Sequence, residues 1–491
     1  MSKLRSNMIY QSVYEVLAVC IPLITSPYLS RVLGAEGLGI YSYNHSIISY
    51  FMLISLLGVV SYGMRTIAKS RGKEEISKNF WSIYSFQLIT SGISIGLYVA
   101  FILFFVKDDI GKIVSWIHIF YLIGECVNIN WLFFGLEKYK LTVLRNIAIK
   151  VLTVASIFIF VREKSDVIAY VFILAFCNFL SNAVLLLKLK SCVKKVKISW
   201  SDVKEHIKPN ILLFIPVLSA SVYHVMDKTM LGMLSNATES GYYYNADKLL
   251  NIPLVVVVGC GNMFMSRVSS LMKDNDEAGI QKTQNESVFF GMWLISAIAF
   301  GISAVSKEFV PWFFGKGYEP CISLIKYFAA IVVIKTLAAH TRSAFLIPEG
   351  KDKAYAKAVT YGALINLVIN YVFIAKLNMG ALGATLATLL AEFVVLMFQL
   401  LSMGRTKSRR FCIKGIFMSG IYLVIGFVML LVINLVPINI SGIFVKLVIK
   451  IALGGIVYLA LCAVLWKFKP SLMPDMVGET VTSFKKKLLR K

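Results

Sequence analysis

Charged residues are scarce in this chain, and acidic ones are the scarcest. Only 16% of the 491 residues are charged, with 26 Asp and Glu against 51 Lys and Arg, while 58% are apolar. A soluble globular domain has about 25% charged and about 45–50% apolar residues. This composition excludes an ordinary soluble protein, a disordered chain and a secreted disulfide scaffold. It indicates a polytopic membrane protein.

The short motifs of common catalytic and metal sites are also missing. No GxxxxGK[ST] loop and no HExxH helix occurs, which argues against ATP hydrolysis by a P-loop and against a zinc protease. The eight cysteines form no CxxC pair and mostly lie in apolar runs, so they predict neither a disulfide framework nor a zinc site. We therefore expect no catalytic residue, no metal ion and no cofactor.

What the chain does have is a series of long apolar runs. A helix needs about 20 apolar residues to cross a hydrocarbon core of ~30 Å, and fourteen runs are near that length. They lie at 8–33, 38–64, 80–106, 114–135, 141–161, 167–188, 209–234, 240–266, 287–305, 320–346, 358–376, 380–403, 415–436 and 444–466. Because backbone exposed to lipid must be hydrogen-bonded internally, they predict an all-α polytopic membrane protein with about fourteen transmembrane helices.

The positions of the basic residues predict the orientation of these helices. With the N-terminus inside, 36 of the 51 Lys and Arg residues fall on the cytoplasmic side and ten on the outer side. Basic residues are enriched in cytoplasmic loops, so we expect both termini to be cytoplasmic. Topology and attraction to anionic headgroups then account for the net charge of +25, and no nucleic-acid partner is predicted.

A weak internal repeat predicts the organisation of the helices. A shift of 202 residues places Gly39 and Tyr41 on Gly241 and Tyr243, so that helices 1–2 align with helices 7–8. An even separation keeps the orientation and predicts two lobes related by a pseudo-twofold axis along the membrane normal. The predicted segments are an N-terminal six-helix lobe at 1–190, a basic cytoplasmic linker at 191–208, a C-terminal six-helix lobe at 209–404, helices 13–14 at 405–466 and a basic cytoplasmic tail at 467–491.

Five segments carry a resemblance to a known family. They are SRVLGAEGLGIYS at 30–42, WLFFGLEKYK at 131–140, Asp227-Lys228 followed by Leu231-Gly232, Gly241-Tyr242-Tyr243, and NMGALGA at 378–384. In this order and spacing the chain resembles bacterial polysaccharide flippases of the Wzx type, in the multidrug/oligosaccharidyl-lipid/polysaccharide exporter superfamily. The resemblance implies two six-helix lobes around a central cavity, alternating access, and a polyprenyl-diphosphate-linked oligosaccharide as substrate. Membrane lipids and a polysaccharide polymerase or other assembly proteins are the expected partners.

Cations at membrane depth fit such a substrate. The charge of a diphosphate cannot cross hydrocarbon bare, and ionisable residues within spans are functional candidates. Five basic residues in the outer third of their predicted helices could form one cationic ring: Arg31, His45, Lys228, Lys248 and Lys326. Lys335 and Arg342, seven residues apart, share a helix face and could line the inner vestibule.

Four acidic residues complete the candidate site, and a purely structural interpretation of some of its members is also open. Charge balance or ion coupling is expected of Asp227, Asp247, Glu15 and Glu392. A second interpretation is that Arg31 and Lys326, near helix ends, extend to the headgroups. In the same interpretation, Asp227 and Asp247 only neutralise neighbouring lysines.

The sequence therefore predicts a flippase of the cytoplasmic membrane that is not an enzyme. One alternative is a cation-coupled multidrug exporter of the same superfamily, which would favour a cavity rich in carboxylates. Another is a membrane glycan polymerase or glycosyltransferase, which would need an acidic pair or a large outer loop. The longest outer loop runs only from about Lys307 to Pro320. A non-transporting assembly scaffold is a third alternative.

Overall fold

The protein is helical throughout the part of the chain that the structure describes. A computed structural model describes residues 2–438, 440 and 442–479; the side chains of residues 2–19, 215–217, 219, 220 and 222–224 lie outside this description. Within it the secondary structure is helical and contains no β-strand. The predicted all-α class is confirmed.

The helices of the first half are long, with a few single turns between them. They are α1 (Ser2–Leu56), α2 (Val59–Lys69), α3 (Gly72–Phe105), α4 (Asp109–Cys126), α5 (Asn130–Gly135), α6 (Tyr139–Phe160), α7 (Val167–Ala183), α8 (Leu189–Cys192), α9 (Trp200–Lys204) and α10 (Ile207–Leu234). Short 3₁₀ turns at Lys164–Asp166 and Val184–Lys188 flank α7.

The second half has the same character. Its helices are α11 (Ala237–Lys273), α12 (Glu277–Phe313), α13 (Pro320–Thr341), α14 (Asp352–Asn370), α15 (Gly380–Ser402), α16 (Lys407–Ser419), α17 (Ile421–Leu435) and α18 (Ile443–Phe468). π-Helical turns follow α13 at Arg342–Leu346 and α14 at Tyr371–Lys376, and a 3₁₀ turn, Pro470–Leu472, follows α18.

Twelve described segments are long and apolar enough to cross a membrane, judged by length and composition alone. The first of them, Cys20–Lys69, contains parts of the predicted runs 8–33 and 38–64, and the run 209–234 forms α10. Large apolar side chains such as Phe104 and Phe417 are three-quarters or more exposed, as expected of surfaces that face lipid. The chain is a multi-pass membrane protein, and the number fourteen stays a prediction.

The break between the first two predicted runs lies at Gly34. Its backbone (φ 70°, ψ −179°) departs from helical geometry inside α1. This combination of angles is essentially restricted to glycine. Gly34 therefore interrupts the helix without adding a loop.

Contacts divide the described chain into two compact units, unit 1 ending at Tyr244 and unit 2 beginning at Asn245. In unit 1, α1 packs against α3, α4, α6 and α10, and α4 packs against α7. In unit 2, α12 packs against α13, α16, α17 and α18, while α15 packs against α13 and α14. The predicted segment boundaries and the pseudo-twofold axis between the lobes stay predictions.

Within unit 1, the basic segment before α10 is bound to α3. The indole Nε1 of Trp81 donates to the Lys194 carbonyl oxygen at 2.8 Å, and the Lys194 backbone N–H donates to the Ser77 hydroxyl at 2.9 Å. Nearby, Lys78 Nζ lies 2.9 Å from Asp202 Oδ1. These contacts give the segment a fixed path over the end of α3.

Asp202 is held in its charged form by the same contacts. The Ser199 backbone N–H donates to its carboxylate at 2.8 Å. This N–H first, and then the Lys78 ammonium, lower the pKa of Asp202 well below its usual value.

Candidate functional site

The segment around residues 30–42 approaches the start of α11 very closely. A Cβ on Gly39 would lie 1.6 Å from the Ala237 carbonyl oxygen, and a Cβ on Gly241 would lie 1.8 Å from the Ala35 carbonyl oxygen. Only glycine allows two backbones to come so near. The two glycines therefore create a tight crossing of α1 and α11 within unit 1.

The contacts at this crossing are reciprocal. The 202-residue shift that aligns Gly39 with Gly241 also aligns Ala35 with Ala237. Each alanine carbonyl thus meets the glycine of the other copy. The structure thus brings into contact two positions that the predicted repeat aligns, while the pseudo-twofold axis itself stays a prediction.

One helical turn further along α1, His45 lies among aromatic rings. Its ring centroid is 5.2 Å from Tyr41, nearly parallel, and 5.0 Å from Tyr121. His118 lies 6.1 Å from His45, and Tyr170 packs edge-on against Tyr41 at 5.2 Å. These residues come from α1, α4 and α7. Together with Tyr244 we call them the aromatic cluster.

Lys228 of α10 joins this cluster. Its Nζ lies 5.7 Å from the ring centroid of Tyr244, and the Tyr244 ring lies 6.0 Å from Tyr41. His45 in turn contacts the ring of Tyr41. An ammonium over an aromatic face is stabilised without losing its charge. The structure thus brings together two predicted site residues, His45 and Lys228.

The neighbouring Asp227 is buried and hydrogen-bonded. The Tyr243 hydroxyl donates to Asp227 Oδ2 at 2.5 Å. Arg31 is exposed, and its Nη1 donates to the Pro27 carbonyl oxygen of its own helix at 3.3 Å. Asp227 therefore has a described contact inside unit 1, whereas the described contact of Arg31 is local to α1.

In unit 2, two predicted residues pair with each other. Lys335 Nζ of α13 lies 3.4 Å from Glu392 Oε1 of α15, and Glu392 is buried. Arg342 follows in the π-helical turn, with its guanidinium carbon 5.6 Å from the Tyr355 ring centroid. The pair connects α13 with α15 and places opposite charges together at membrane depth.

The remaining predicted residues occupy separate positions. Asp247 and Lys248 lie half-buried on α11, where Asn251 Nδ2 donates to Asp247 Oδ1 at 2.7 Å. Lys326 lines a cavity of unit 2. The side chain of Glu15 lies outside the described residues. The cationic ring that combines residues of both units stays a prediction.

Sequence reasoning missed several residues of these sites. Each member of the aromatic cluster except His45 was passed over, although Tyr41 lies inside the segment that carried the family resemblance. It also missed Glu308, whose Oε1 lies 3.1 Å from Lys446 Nζ and 2.7 Å from Lys450 Nζ. Glu308 lies just beyond the predicted run 287–305, and no sequence pattern indicated that α18 would bring Lys446 and Lys450 to it.

No metal centre appears among the residues that the structure describes. Within them, no three His, Cys, Asp or Glu side chains come together in a way that could hold a metal ion. The eight cysteines form no disulfide within the described part of the chain. The functional groups that the described sites contain are therefore cations, carboxylates and aromatic rings.

These features define a class: a multi-pass α-helical membrane protein with cations held at membrane depth by aromatic rings and carboxylates. The chain belongs to the family described as polysaccharide biosynthesis protein, which matches residues 4–264. The family resemblance predicted from the sequence is confirmed.

Curated relatives and solved structures are consistent with this membership. A "Putative O-antigen transporter" of Escherichia coli (strain K12) is 23% identical over 82% of this chain and 97% of that protein. A protein of the same name from Shigella dysenteriae is 23% identical over 77% of this chain and 94% of its own length.

Two solved structures share the fold. The structure titled "Lipid II flippase MurJ, inward closed conformation" has a TM-score of 0.73 and 15% identity, and covers 94% of this chain and 99% of its own. An inward-facing multidrug resistance MATE family transporter of the MOP superfamily has a TM-score of 0.59 and 12% identity. That match covers 78% of this chain and 98% of the transporter.

Proposed function

We propose that this protein is a flippase that moves a polyprenyl-diphosphate-linked oligosaccharide from the inner to the outer leaflet of the cytoplasmic membrane. Family membership and the names of the two curated relatives support a role in the export of surface polysaccharide precursors. The fold shared with a lipid flippase is consistent with it. Transport makes and breaks no covalent bond, so the proposal includes no catalytic residue and no cofactor.

The observation that carries the proposal is the position of Lys228. Its ammonium lies over the Tyr244 ring at membrane depth, where an isolated charge is costly. A cation–π contact stabilises the ammonium, and the ring, unlike a carboxylate, carries no net negative charge. A diphosphate that reaches this position during transport would meet this cation.

The transport cycle we propose is alternating access by the two predicted lobes. The glycan headgroup would enter from the cytoplasmic side, where both termini are expected, while the prenyl chain stays in lipid. On the outer side, a polysaccharide polymerase is the expected consumer of the product.

A multidrug exporter is the second candidate, and the MATE neighbour shares its fold. Coupling by cations would require accessible carboxylates. In the described structure Asp227 accepts a hydrogen bond from Tyr243, and Glu392 is paired with Lys335. These contacts favour the flippase over the exporter. A glycan polymerase or glycosyltransferase remains the alternative from another class, and a scaffold predicts no transport at all.

Proteoliposomes containing the purified wild-type protein separate these candidates. We expect a polyprenyl-diphosphate oligosaccharide, placed in one leaflet, to become accessible to a lectin or glycosidase on the other side. Unmodified glycan should be recovered, which would exclude a polymerase. Expulsion of an organic cation without movement of the lipid-linked glycan would instead identify an exporter, and movement of neither would overturn the proposal.

A further inference from the structure

A cavity of about 590 Å³ lies inside unit 2, and its lining includes Lys326, one of the predicted site residues. Its walls come from α12, α13 and α17, and α12 packs against both of the other helices. Ligand pockets usually have volumes of about 300–1,000 Å³. The cavity is therefore large enough to hold part of a lipid.

The lining of this cavity is polar at one end and apolar at the other. Lys307 and Lys326 line it close to where α12 ends and α13 begins, and Asn434 lines it at the end of α17. Phe300 and Val333 line the part about two helical turns deeper. An amphipathic cavity of this kind fits a ligand with a polar head and a hydrocarbon chain.

The two lysines of the cavity differ from two lysines of α18, a helix that packs against α12. Lys446 and Lys450 share the carboxylate of Glu308. Lys307 and Lys326, by contrast, are in no ion pair among the described residues of unit 2. Both lysines are exposed, so their ammonium groups are accessible to an anion, which two neighbouring positive charges attract.

The apolar end of the cavity also continues onto the outer surface of the unit. Phe427 lines the cavity and is 51% exposed, and Val424, Leu431 and Leu435 on the same helix are exposed as well. In a chain with membrane spans, such a surface faces hydrocarbon. A chain of a bound lipid could therefore pass from the cavity along α17 without entering water.

We propose that this cavity binds the phosphate group of a membrane lipid, with Lys307 and Lys326 at the phosphate and the hydrocarbon chain against Phe300, Val333 and Phe427. On the predicted topology the site lies in the outer leaflet. The chemistry suits either an anionic phospholipid or a polyprenyl diphosphate. The proposal concerns binding alone and does not depend on the proposed transport function.

Lipid binding to purified protein tests the proposal directly. Dioleoylphosphatidylglycerol and dioleoylphosphatidylcholine are titrated into delipidated protein in detergent, and bound lipid is counted by native mass spectrometry. We expect the double variant Lys307→Gln/Lys326→Gln to bind phosphatidylglycerol about tenfold or more weakly than wild type, because two charge-assisted contacts are lost. Phosphatidylcholine binding should be unchanged, and Lys316→Gln, in the adjoining loop, serves as the matched control.

A second variant keeps both lysines and fills the cavity instead. Ala330 lines the cavity and is exposed, so Ala330→Trp should fill it with little strain and also weaken phosphatidylglycerol binding. Unchanged affinity in both variants, or equal loss in Lys316→Gln, would overturn the proposal. Competition between phosphatidylglycerol and undecaprenyl diphosphate then identifies the source of the phosphate: the lipid that displaces the other at lower concentration is the preferred ligand.

Discussion

A lysine over an aromatic ring in unit 1 can be compared with lysines paired to carboxylates in unit 2. In unit 1, Lys228 contacts the ring of Tyr244. In unit 2, Lys335 is paired with Glu392, and Glu308 holds two further lysines. Ring contact and ion pairing both lower the cost of a charge in a low-dielectric environment.

The difference between these contacts has a functional consequence. A carboxylate neutralises the lysine that it binds, and the pair then connects two helices. An aromatic ring carries no net charge, so a ring contact does not by itself neutralise a lysine. We propose that the ion pairs of unit 2 attach helices to one another and that Lys228, beside the aromatic cluster, meets the anionic part of the substrate.

The largest expected effect follows from removing the carboxylate that holds two lysines. Glu308→Gln leaves Lys446 and Lys450 without their described partner, and breaking a buried pair costs about 3–5 kcal/mol. We expect a clear fall in the thermal unfolding temperature of purified protein. Asp475→Asn, which removes an exposed pair with Lys282, should change stability by only about 0–1 kcal/mol. Equal effects of the two substitutions would contradict the structural role of Glu308.

The next effect tests the glycine crossing of unit 1. Gly39→Ala introduces a Cβ that would overlap the Ala237 carbonyl oxygen, so α1 and α11 must move apart. Overpacking of this kind costs about 1–3 kcal/mol, measured as lost thermal stability. Gly92→Ala is the control, because a Cβ at that position meets nothing within 4 Å. A Gly39→Ala protein as stable as this control would show that the crossing is looser than described.

Two double-mutant cycles compare ring contact and ion pairing directly. For Lys335→Met with Glu392→Leu, the double variant should be more stable than the sum of the single effects, with a coupling energy of about 0.5–3 kcal/mol. For Lys228→Met with Tyr244→Leu, we expect a coupling energy of about 0.5–1 kcal/mol. Equal coupling energies in the two cycles would show that the ring contact and the ion pair stabilise the protein to the same extent, which would contradict the comparison.

The smallest effect concerns the cytoplasmic segment of unit 1 and its dependence on pH. The pKa of Asp202 is lowered in the folded protein, so its contribution to stability is present above the unfolded pKa of about 3.9 and is lost as the pH falls below it. The protection of the backbone amides of residues 194–206 against hydrogen exchange, corrected for the intrinsic rate at each pH, should therefore be the same at pH 7 and pH 5 and lower at pH 3.5.

Asp202→Asn provides the control for this experiment. The substitution removes the titrating carboxylate. Protection of the segment should therefore be lower than in wild type already at pH 7, and it should change less on acidification. A wild-type segment that loosens between pH 7 and pH 5 would assign the effect to another group.

The sequence predicted those features that depend on local composition. Apolar runs and basic loops were enough to predict an all-α membrane protein, and the segment at 30–42 indicated the family. The repeat aligned Gly39 with Gly241 but could not show that the two residues touch. That contact depends on tertiary packing between helices about 200 residues apart in the chain.

For the same reason, the sequence did not predict which side chains would pair with one another. Lys335 and Glu392 were each predicted as site residues, yet nothing in the sequence indicated that α13 and α15 bring them together. The aromatic cluster combines rings from α1, α4, α7 and α11. Tyrosines in apolar runs are common, so only their convergence on His45 distinguishes these residues.

The central claim is that Lys228 meets the negatively charged part of the substrate. The most direct test is side-resolved translocation of a polyprenyl-diphosphate oligosaccharide in proteoliposomes, comparing wild type with Lys228→Gln, Lys228→Arg and the loop control Lys316→Gln. We expect Lys228→Gln to lower the rate about tenfold or more, Lys228→Arg to retain a substantial part of it, and the control to match wild type. A Lys228→Gln protein that translocates the lipid at the wild-type rate would contradict the account.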